Sequence, residues 1–298
     1  MVMKFNKKLT ALIGGAVCLG FMSVSMAASK LKPFVLASES AGDVASVTAA
    51  TKSKLTGAGF TVVGEYDPAS GAHIIAVTND ALKAAAAKSE FGAYGAAVRV
   101  GVTKAGGKVQ VTYSNPTYWA AGFRMKSNLA SVGKSLEGAL GKVKGFGSAK
   151  GMKAKSIKKY HYMFGMPYFD DPHKLGKASN YKDAVKKVES ALNAGKGGVK
   201  KVYRIDIPGT KSTVFGVNFT TGDASDANVI GKIDLGKIKH TAHFPYEIVV
   251  VGKKIYTLSG KFRIALSFPD LSMAGDGSFA SIMSVPGAIE SAGEKVAD

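Results

Sequence analysis

Cysteine is almost absent from this chain, in which Cys18 is the single example among 298 residues. Cys18 lies within an N-terminal stretch that we expect to be cleaved. The remaining chain would then have no disulfide, no thiolate nucleophile and no cysteine-ligated zinc, iron–sulfur or c-type haem site. Its stability must come from a packed hydrophobic core, for which roughly 270 residues are ample, and that length favours two domains over one.

Arginine is scarce, although the formal net charge is +19 and 40 residues are lysine or arginine. The arginines are Arg99, Arg124, Arg204 and Arg263. Recognition of phosphates or bases usually depends on arginine, whereas scattered lysines mainly solvate a surface. We therefore expect an anionic envelope surface or an acidic protein partner, and no nucleic acid. A basic surface that serves only solubility is an equally simple interpretation.

Long hydrophobic runs are also missing, because no segment after residue 27 reaches the roughly 18 apolar residues that a membrane span needs. Residues 1–27 instead have the form of a cleaved secretory signal: lysines, an apolar stretch over 9–22, and small residues before a cleavage site after Ala27. We predict a periplasmic or secreted protein without a transmembrane span. An uncleaved N-terminal anchor is the alternative.

The rest of the chain repeats one order of predicted elements. Residues 43–59 and 183–195 have helical spacing and end on glycine, a helix stop signal. Each is followed by two strands, a short helix, a hairpin and a closing helix. The closest match places 107–122 over 260–275, both of which end in Ala-Gly. The pattern indicates a tandem duplication.

The predicted class is α+β, with two tandem two-layer α/β units, largely antiparallel sheets and a pseudo-twofold duplication. The first unit spans 28–145, a basic connector rich in glycine and lysine spans 146–156, and the second unit spans 157–298. An initial strand is expected within 158–166, and residues 262–266 are expected to close the second hairpin as a strand.

Four segments of the first unit carry a family resemblance: LTGAGF at 55–60, TVVGEYD at 61–67, HIIAVTND at 73–80 and SNPTYWAAGFR at 114–124. In these the unit resembles the bacterial domain-of-unknown-function family 302, and the second unit resembles a diverged copy. The resemblance implies a sandwich-like α+β domain that tends to pair with itself. The duplication would then encode an intramolecular pseudo-dimer. The resemblance implies no catalytic residues.

A histidine- and methionine-containing segment is the best candidate for a metal site. Imidazole and thioether groups suit Cu(I) and haem iron, so a copper or haem site is predicted at His161, Met163, Met166 and His173. The alternative is ordinary packing, in which this segment is a strand whose aromatic side chains face the hydrophobic core. His240 and His243 could also bind a metal weakly, but a solvated loop is the preferred interpretation.

An aromatic cluster follows the last strand of the first unit, at Tyr118, Trp119 and Phe123. In the alignment above the second unit has no aromatic side chains there; its counterparts are Leu271, Ser272 and Asp276. An aromatic cluster kept in one copy could line an apolar pocket. Core packing is the alternative.

No recognised catalytic motif occurs, so whether the chain is an enzyme stays open and no catalytic residue is assigned. The leading hypothesis is an exported, non-enzymatic binding or accessory protein. The second is a periplasmic copper or haem carrier that uses 161–173. The third is an enzyme with a site between the two units.

Overall fold

The computed structural model describes residues 30–298, so the predicted signal segment 1–27 lies outside the described part of the chain. Helices pack on two antiparallel sheets of six and five strands, which confirms the α+β prediction. Within residues 30–298, no helix combines the length and apolar character that crossing a bilayer requires.

The first unit contains a six-stranded antiparallel sheet with the strand order β2-β3-β4-β5-β1-β6. Its elements, in chain order, are β1 (Phe34–Ser40), α1 (Val44–Gly57), β2 (Thr61–Ala69), β3 (Ala72–Thr78), α2 (Asp80–Ala86), β4 (Val98–Ala105), β5 (Lys108–Ser114), α3 (Pro116–Gly122), α4 (Ala130–Leu140) and β6 (Lys144–Phe146).

The second unit contains a five-stranded antiparallel sheet with the strand order β7-β11-β10-β9-β8. A short helix, α5 (Ala154–Ile157), lies in the connecting segment and packs on α3 of the first unit. The elements of the second unit are β7 (His173–Lys177), α6 (Tyr181–Asn193), β8 (Val199–Asp206), β9 (Ser212–Phe219), α7 (Asp226–Ile233), β10 (Tyr246–Val251), β11 (Lys254–Thr257), α8 (Gly260–Ser267) and α9 (Val285–Ala297). When β7–β11 are matched to β1–β5, the strand order is the same in both units.

The first long helix of each unit begins in the same way. The Asp43 side chain accepts a hydrogen bond from the backbone N–H of Ser46 at 2.8 Å, and the Asn180 side chain accepts one from that of Asp183 at 3.0 Å. Such N-caps satisfy a backbone donor that the helix itself leaves unpaired. Helix α6 then places an apolar stripe on its sheet, formed by Ala184, Val185, Val188, Ala191 and Leu192.

The hairpin of the second unit is shorter than that of the first, and this corrects the sequence alignment. Val100 of the first unit pairs with Tyr113, and the corresponding Ile248 of the second unit pairs with Thr257. The second pair is separated by four fewer residues along the chain than the first. The prediction of a strand at 262–266 is therefore wrong, because the last strand has already ended and these residues belong to α8. The Gly-Lys shared by 107–108 and 260–261 begins a strand in one unit and a helix in the other.

The second unit also begins later than predicted. The strand expected within 158–166 is wrong, since this segment is a loop in which Tyr162 and Gly165 have φ angles of +63° and +80°. Left-handed backbone does not fit a β ladder. The first strand of the second sheet is β7, and the first unit extends beyond 145 through β6 and a bridge between Leu31 and Met152.

The two units share their cores across a pseudo-twofold arrangement. Tyr203, Phe262 and Leu266 of the second unit pack within the core of the first, and Ile74 of the first packs within that of the second. Strands β2 and β8 lie against each other where Gly64 meets Tyr203. These two residues hold equivalent positions in the two units, because Gly64 pairs with Ala76 and Tyr203 pairs with Gly216. The repeat therefore forms one packed body.

Replacement of Gly64 by alanine tests this contact. A Cβ atom at Gly64 would lie 2.2 Å from the carbonyl oxygen of Val202, so β2 and β8 would have to separate. We expect the free energy of unfolding to fall by about 1–3 kcal/mol, as for an overpacked core. Denaturant titration measures it. Gly57→Ala is the matched control. Gly57 lies in α1, and a Cβ atom there would meet no neighbouring side chain or strand within 4 Å, so the substitution should be neutral or slightly stabilising. Equal losses in both variants would contradict the close contact.

Candidate functional site

A buried ionic cluster lies between the two sheets. Arg99 and Glu247 are the second residues of β4 and β10, so they hold equivalent positions in the two units. The Nη1 group of Arg99 donates a hydrogen bond to Oε1 of Glu247 at 2.5 Å, and both residues are only 2% exposed. The pseudo-twofold thus brings opposite charges together at one repeated position.

Arg263 is the third charged member of this cluster. It is fully buried, and its Nε group donates to Oε2 of Glu247 at 3.0 Å. Arg263 is the fourth residue of α8, and Trp119 is the fourth residue of the corresponding α3. The guanidinium carbons of Arg99 and Arg263 lie 4.3 and 4.7 Å from the indole ring centroid of Trp119. One indole therefore supports both cations by cation–π attraction.

The remaining donors of the two guanidinium groups bind the backbone and a hydroxyl group. Arg99 Nε donates to the carbonyl of Ala242 at 3.1 Å, and Arg263 donates to that of His243 at 2.6 Å and to Ser267 Oγ at 2.9 Å. Burial, together with the charge of Arg263, lowers the pKa of Arg99 to about 10. Arg99 therefore remains charged at neutral pH.

His243 lies next to this cluster and is fully buried. Its Nδ1 is 2.6 Å from Ser267 Oγ, and its Nε2 is 2.9 Å from the hydroxyl of Tyr246. Burial and the neighbouring arginine charges hold the pKa of His243 well below its usual value, so the ring is neutral. The interpretation of residues around His240 and His243 as a solvated loop is wrong, because the turn Thr241–His243 packs on β4 of the first unit.

A second buried polar contact joins the units at Asp226. The Tyr66 hydroxyl donates to its carboxyl group at 2.5 Å, and the backbone N–H of Phe219 donates at 3.4 Å. Burial raises the pKa of Asp226 to about 8. The carboxyl group is therefore largely protonated at neutral pH.

The residues predicted to bind copper or haem make separate contacts. The His161 ring stacks on Tyr168 with centroids 4.2 Å apart, whereas His173 Nε2 lies 2.9 Å from Glu294 Oε1. Met163 is exposed and Met166 is half-buried. In residues 30–298, no three His, Cys, Asp or Glu side chains are grouped to hold a metal ion. A site that includes the methionines stays a prediction.

The aromatic cluster belongs to the core. Tyr118, Trp119 and Phe123 are all buried, and the Tyr118 hydroxyl donates to the carbonyl of Leu266 at 2.9 Å. The alignment with Leu271, Ser272 and Asp276 is corrected by the shorter second hairpin, which makes the structural counterparts Phe262, Arg263 and Ser267. The second unit thus has Arg263 where the first has Trp119, and the guanidinium group of Arg263 packs on the Trp119 ring.

A groove of about 920 Å³ lies between α1 and β2. Its charged side chains already pair: Lys52 Nζ lies 2.8 Å from Glu65, and Asp67 lies 2.6 Å from His73. An equivalent groove of about 640 Å³ lies between α6 and β8, and there Glu189 and Arg204 pair with reversed charges. Because both units have it, this groove is a consequence of the repeated fold.

A cleft of about 540 Å³ lies between the two units. Residues 144–149, 237–240 and 268–271 form most of its wall. Basic and aromatic side chains are prominent in its lining: Lys32, Lys144, Lys237, His240, Phe146 and Phe268. Ser148, Ile238, Asp270 and Leu271 contribute the other larger side chains.

His240 is held in a fixed orientation in the inter-unit cleft. Its Nδ1 lies 2.9 Å from Oδ1 of the buried Asp234, and its backbone N–H donates to Oδ2 at 2.8 Å. The ring packs against Phe146 and Phe268, with centroids 5.0 and 4.7 Å away. Among the described residues Nε2 has no partner, so it is free to contact a ligand.

The lining of the inter-unit cleft carries an excess of positive charge. Its acidic residue is Asp270, whose oxygens already accept hydrogen bonds from the backbone N–H of Ala149 and the hydroxyl of Ser148. Three lysines of the lining then remain to attract an anion: Lys144, Lys237 and Lys32, whose side chain runs along Gly145.

Sequence reasoning missed both the ionic cluster and the cleft. A usable signal was present for the cluster, since Arg99, Glu247 and Arg263 are charges that lie directly between apolar residues of a strand or helix. A charge at such a position requires a buried partner. No comparable signal marks the cleft, because its walls come from three separate segments.

Comparisons with known proteins provide no further assignment: no family model, curated protein or solved structure matches this chain.

Replacement of Glu247 by glutamine tests the ionic cluster. Both arginines would lose their charge partner without a change of side-chain shape, so we expect the free energy of unfolding to fall by about 3–5 kcal/mol. The control is Glu65→Gln, whose partly exposed pair with Lys52 should contribute about 1 kcal/mol or less. Chemical denaturation measures both. Similar small losses in the two variants would show that the cluster does not hold the units together.

The carboxyl group of Asp226 should make stability depend on pH. Its folded pKa of about 8 lies above the value in the unfolded chain, so its contribution is complete below about pH 4 and is lost as the pH rises through 8. We expect wild type to lose up to about 1.4 kcal/mol per pH unit, relative to Asp226→Asn, between pH 5 and 7. Denaturant titrations of both proteins measure this difference in unfolding free energy. The pH-dependent contribution of His243 is the same in both proteins and therefore drops out of the difference. A constant difference would contradict the raised pKa.

Proposed function

We propose that this protein is an exported, non-enzymatic binding or accessory protein whose ligand occupies the inter-unit cleft. The observation that supports the proposal is the composition of that cleft, in which three lysines surround two phenylalanine rings and the oriented imidazole of His240. Lysine ammonium groups favour an anion, and the rings favour an apolar or planar body. The ligand class is therefore a small organic anion with an aromatic or apolar part.

His240 would recognise a specific atom of the ligand. With Nδ1–H donated to Asp234, the neutral ring presents Nε2 as an acceptor, and the protonated ring presents it as a donor. The contacts with Phe146 and Phe268 keep this nitrogen in place. Binding would thus combine general charge attraction with one directional hydrogen bond.

Export and pairing complete the proposal. The signal-like residues 1–27 support a periplasmic or secreted location, and the net charge of +19 supports an anionic envelope surface or an acidic partner. The kinship with domain-of-unknown-function family 302 stays a prediction from its motifs. Under it, the two units would represent an intramolecular pseudo-dimer, for which the shared core and the pairing of equivalent positions are the support.

An enzyme with a site between the two units is the second candidate, and a single observation favours it. A buried carboxylate that orients a histidine, as Asp234 orients His240, is also an arrangement that enzymes use for proton transfer. Binding is the primary proposal because the lysines and phenylalanines that line the cleft with the imidazole are suited to hold an organic anion, whichever role His240 has.

The test uses phenyl phosphate as the anionic probe and benzylamine as its cationic counterpart, in ligand-observed NMR titrations. We expect saturable binding of phenyl phosphate only. Lys144→Glu/Lys237→Glu and His240→Ala should each weaken it about tenfold or more, because they remove charge attraction and the directional contact.

Lys104→Glu/Lys108→Glu is the matched control, since it makes the same charge change on the exposed tip of the β4–β5 hairpin. Its affinity should stay within about twofold of wild type. Equal weakening by both double variants would reduce the effect to overall charge, and no saturable binding would refute the anion site.

A further inference from the structure

The loop that precedes β7 exposes apolar side chains. Phe164 is 99% exposed, and Met163 and Tyr168 are 47% and 38% exposed. Large apolar side chains are normally buried, so a fully exposed phenylalanine with apolar neighbours indicates a contact surface. Residues 162–168 are called the apolar loop below.

The apolar loop is fastened to the body of the protein. The Tyr162 hydroxyl donates to the carbonyl of Leu271 at 2.7 Å, and its ring lies 4.7 Å from that of Phe279. At the other end Phe169 is buried in the core. Within the loop, the backbone N–H of Met166 donates to the carbonyl of Met163 at 3.1 Å. Phe164 is therefore presented on a defined turn.

Exposed methionine extends this surface beyond the loop. Met273 is 54% exposed, and its sulfur lies 3.5 Å from the Tyr162 hydroxyl. Methionine and aromatic side chains together adapt well to a soft apolar medium. Because the Phe164 side chain is almost fully exposed, it can insert into such a medium without a rearrangement of its neighbours.

The charge around the apolar loop has one sign. Between Glu137 and Asp170 the chain contains no acidic residue. The run just before the loop contains five exposed lysines that form no ion pair with any described residue: Lys150, Lys153, Lys155, Lys158 and Lys159. Helix α5 in this run is held by the buried Ile157, and the exposed Lys158 and Lys159 lie three to four residues before the apolar loop in the chain, so positive charge adjoins the loop.

We infer that this surface docks on an anionic phospholipid bilayer, with Phe164 inserted at the interface and the lysines against the headgroups. An aromatic residue flanked by lysines combines apolar burial with attraction to anionic lipid, and peripheral membrane binding usually needs both contributions. The inference does not require a ligand in the proposed cleft, although Tyr162 of the loop contacts Leu271 of the cleft wall.

The test places a reporter at the loop in the full chain. Phe164→Trp is mixed with vesicles of phosphatidylglycerol or of phosphatidylcholine, and the wild-type spectrum, which contains only Trp119, is subtracted. We expect a blue shift and quenching by brominated acyl chains with phosphatidylglycerol alone. Raised salt should weaken the effect, because attraction of exposed charges to a surface is screened.

Val143→Trp is the matched control, because Val143 is also an exposed apolar residue and lies between two lysines. Its emission should not change. Adding Lys155→Glu/Lys158→Glu/Lys159→Glu to Phe164→Trp should weaken vesicle affinity about tenfold or more, since the sign of three charges reverses.

Each other outcome overturns the inference. Vesicle sedimentation without a shift at residue 164 would place membrane contact elsewhere in the chain, and equal shifts at 143 and 164 would remove the role of the loop. A shift that depends on protein concentration without vesicles would indicate a second copy as the partner. A shift with polyglutamate but not with vesicles would indicate an acidic polypeptide.

Discussion

The carboxylate of Glu247 shared by Arg99 and Arg263 is the interaction on which the arrangement of the two units depends. Charges removed from water are tolerated only when they are paired and hydrogen-bonded. Arg99 belongs to the first unit and its carboxylate partner to the second, so Arg99 would be left buried without a charge partner if the second unit were absent, whereas Glu247 also has Arg263 of its own unit. We infer that folding of the units and their association are coupled.

Trp119 completes this cluster from the first unit. Its indole lies under both guanidinium groups, and its own N–H donates to the carbonyl of Pro33 at 2.9 Å, which fixes the ring. An arginine takes its place in the second unit, at Arg263. The repeat has therefore diverged into complementary partners at its own axis, since two identical charges there would repel each other.

The features with potential for binding lie where the repeat is broken. The paired grooves over β2 and β8 follow from the common fold, and their charges are internally neutralised. The inter-unit cleft and the apolar loop instead use the segment from 144 to 168, which leads from the first unit towards the second. This acid-free segment supplies lysines to both. If both proposals hold, the protein would present its ligand cleft while attached to an anionic surface.

The sequence by itself determined the α+β class and the repeated order of elements, because these follow from local periodicity and from stop signals close to the helices in the chain. It misplaced β7 and turned α8 into a strand, since the length of a hairpin and the pairing of strands are fixed by partners distant in the chain. Only the tertiary structure brought Arg99 to Glu247 and His240 to Phe146. Residues far apart in sequence become neighbours through the packing of two sheets, and no local pattern encodes that contact.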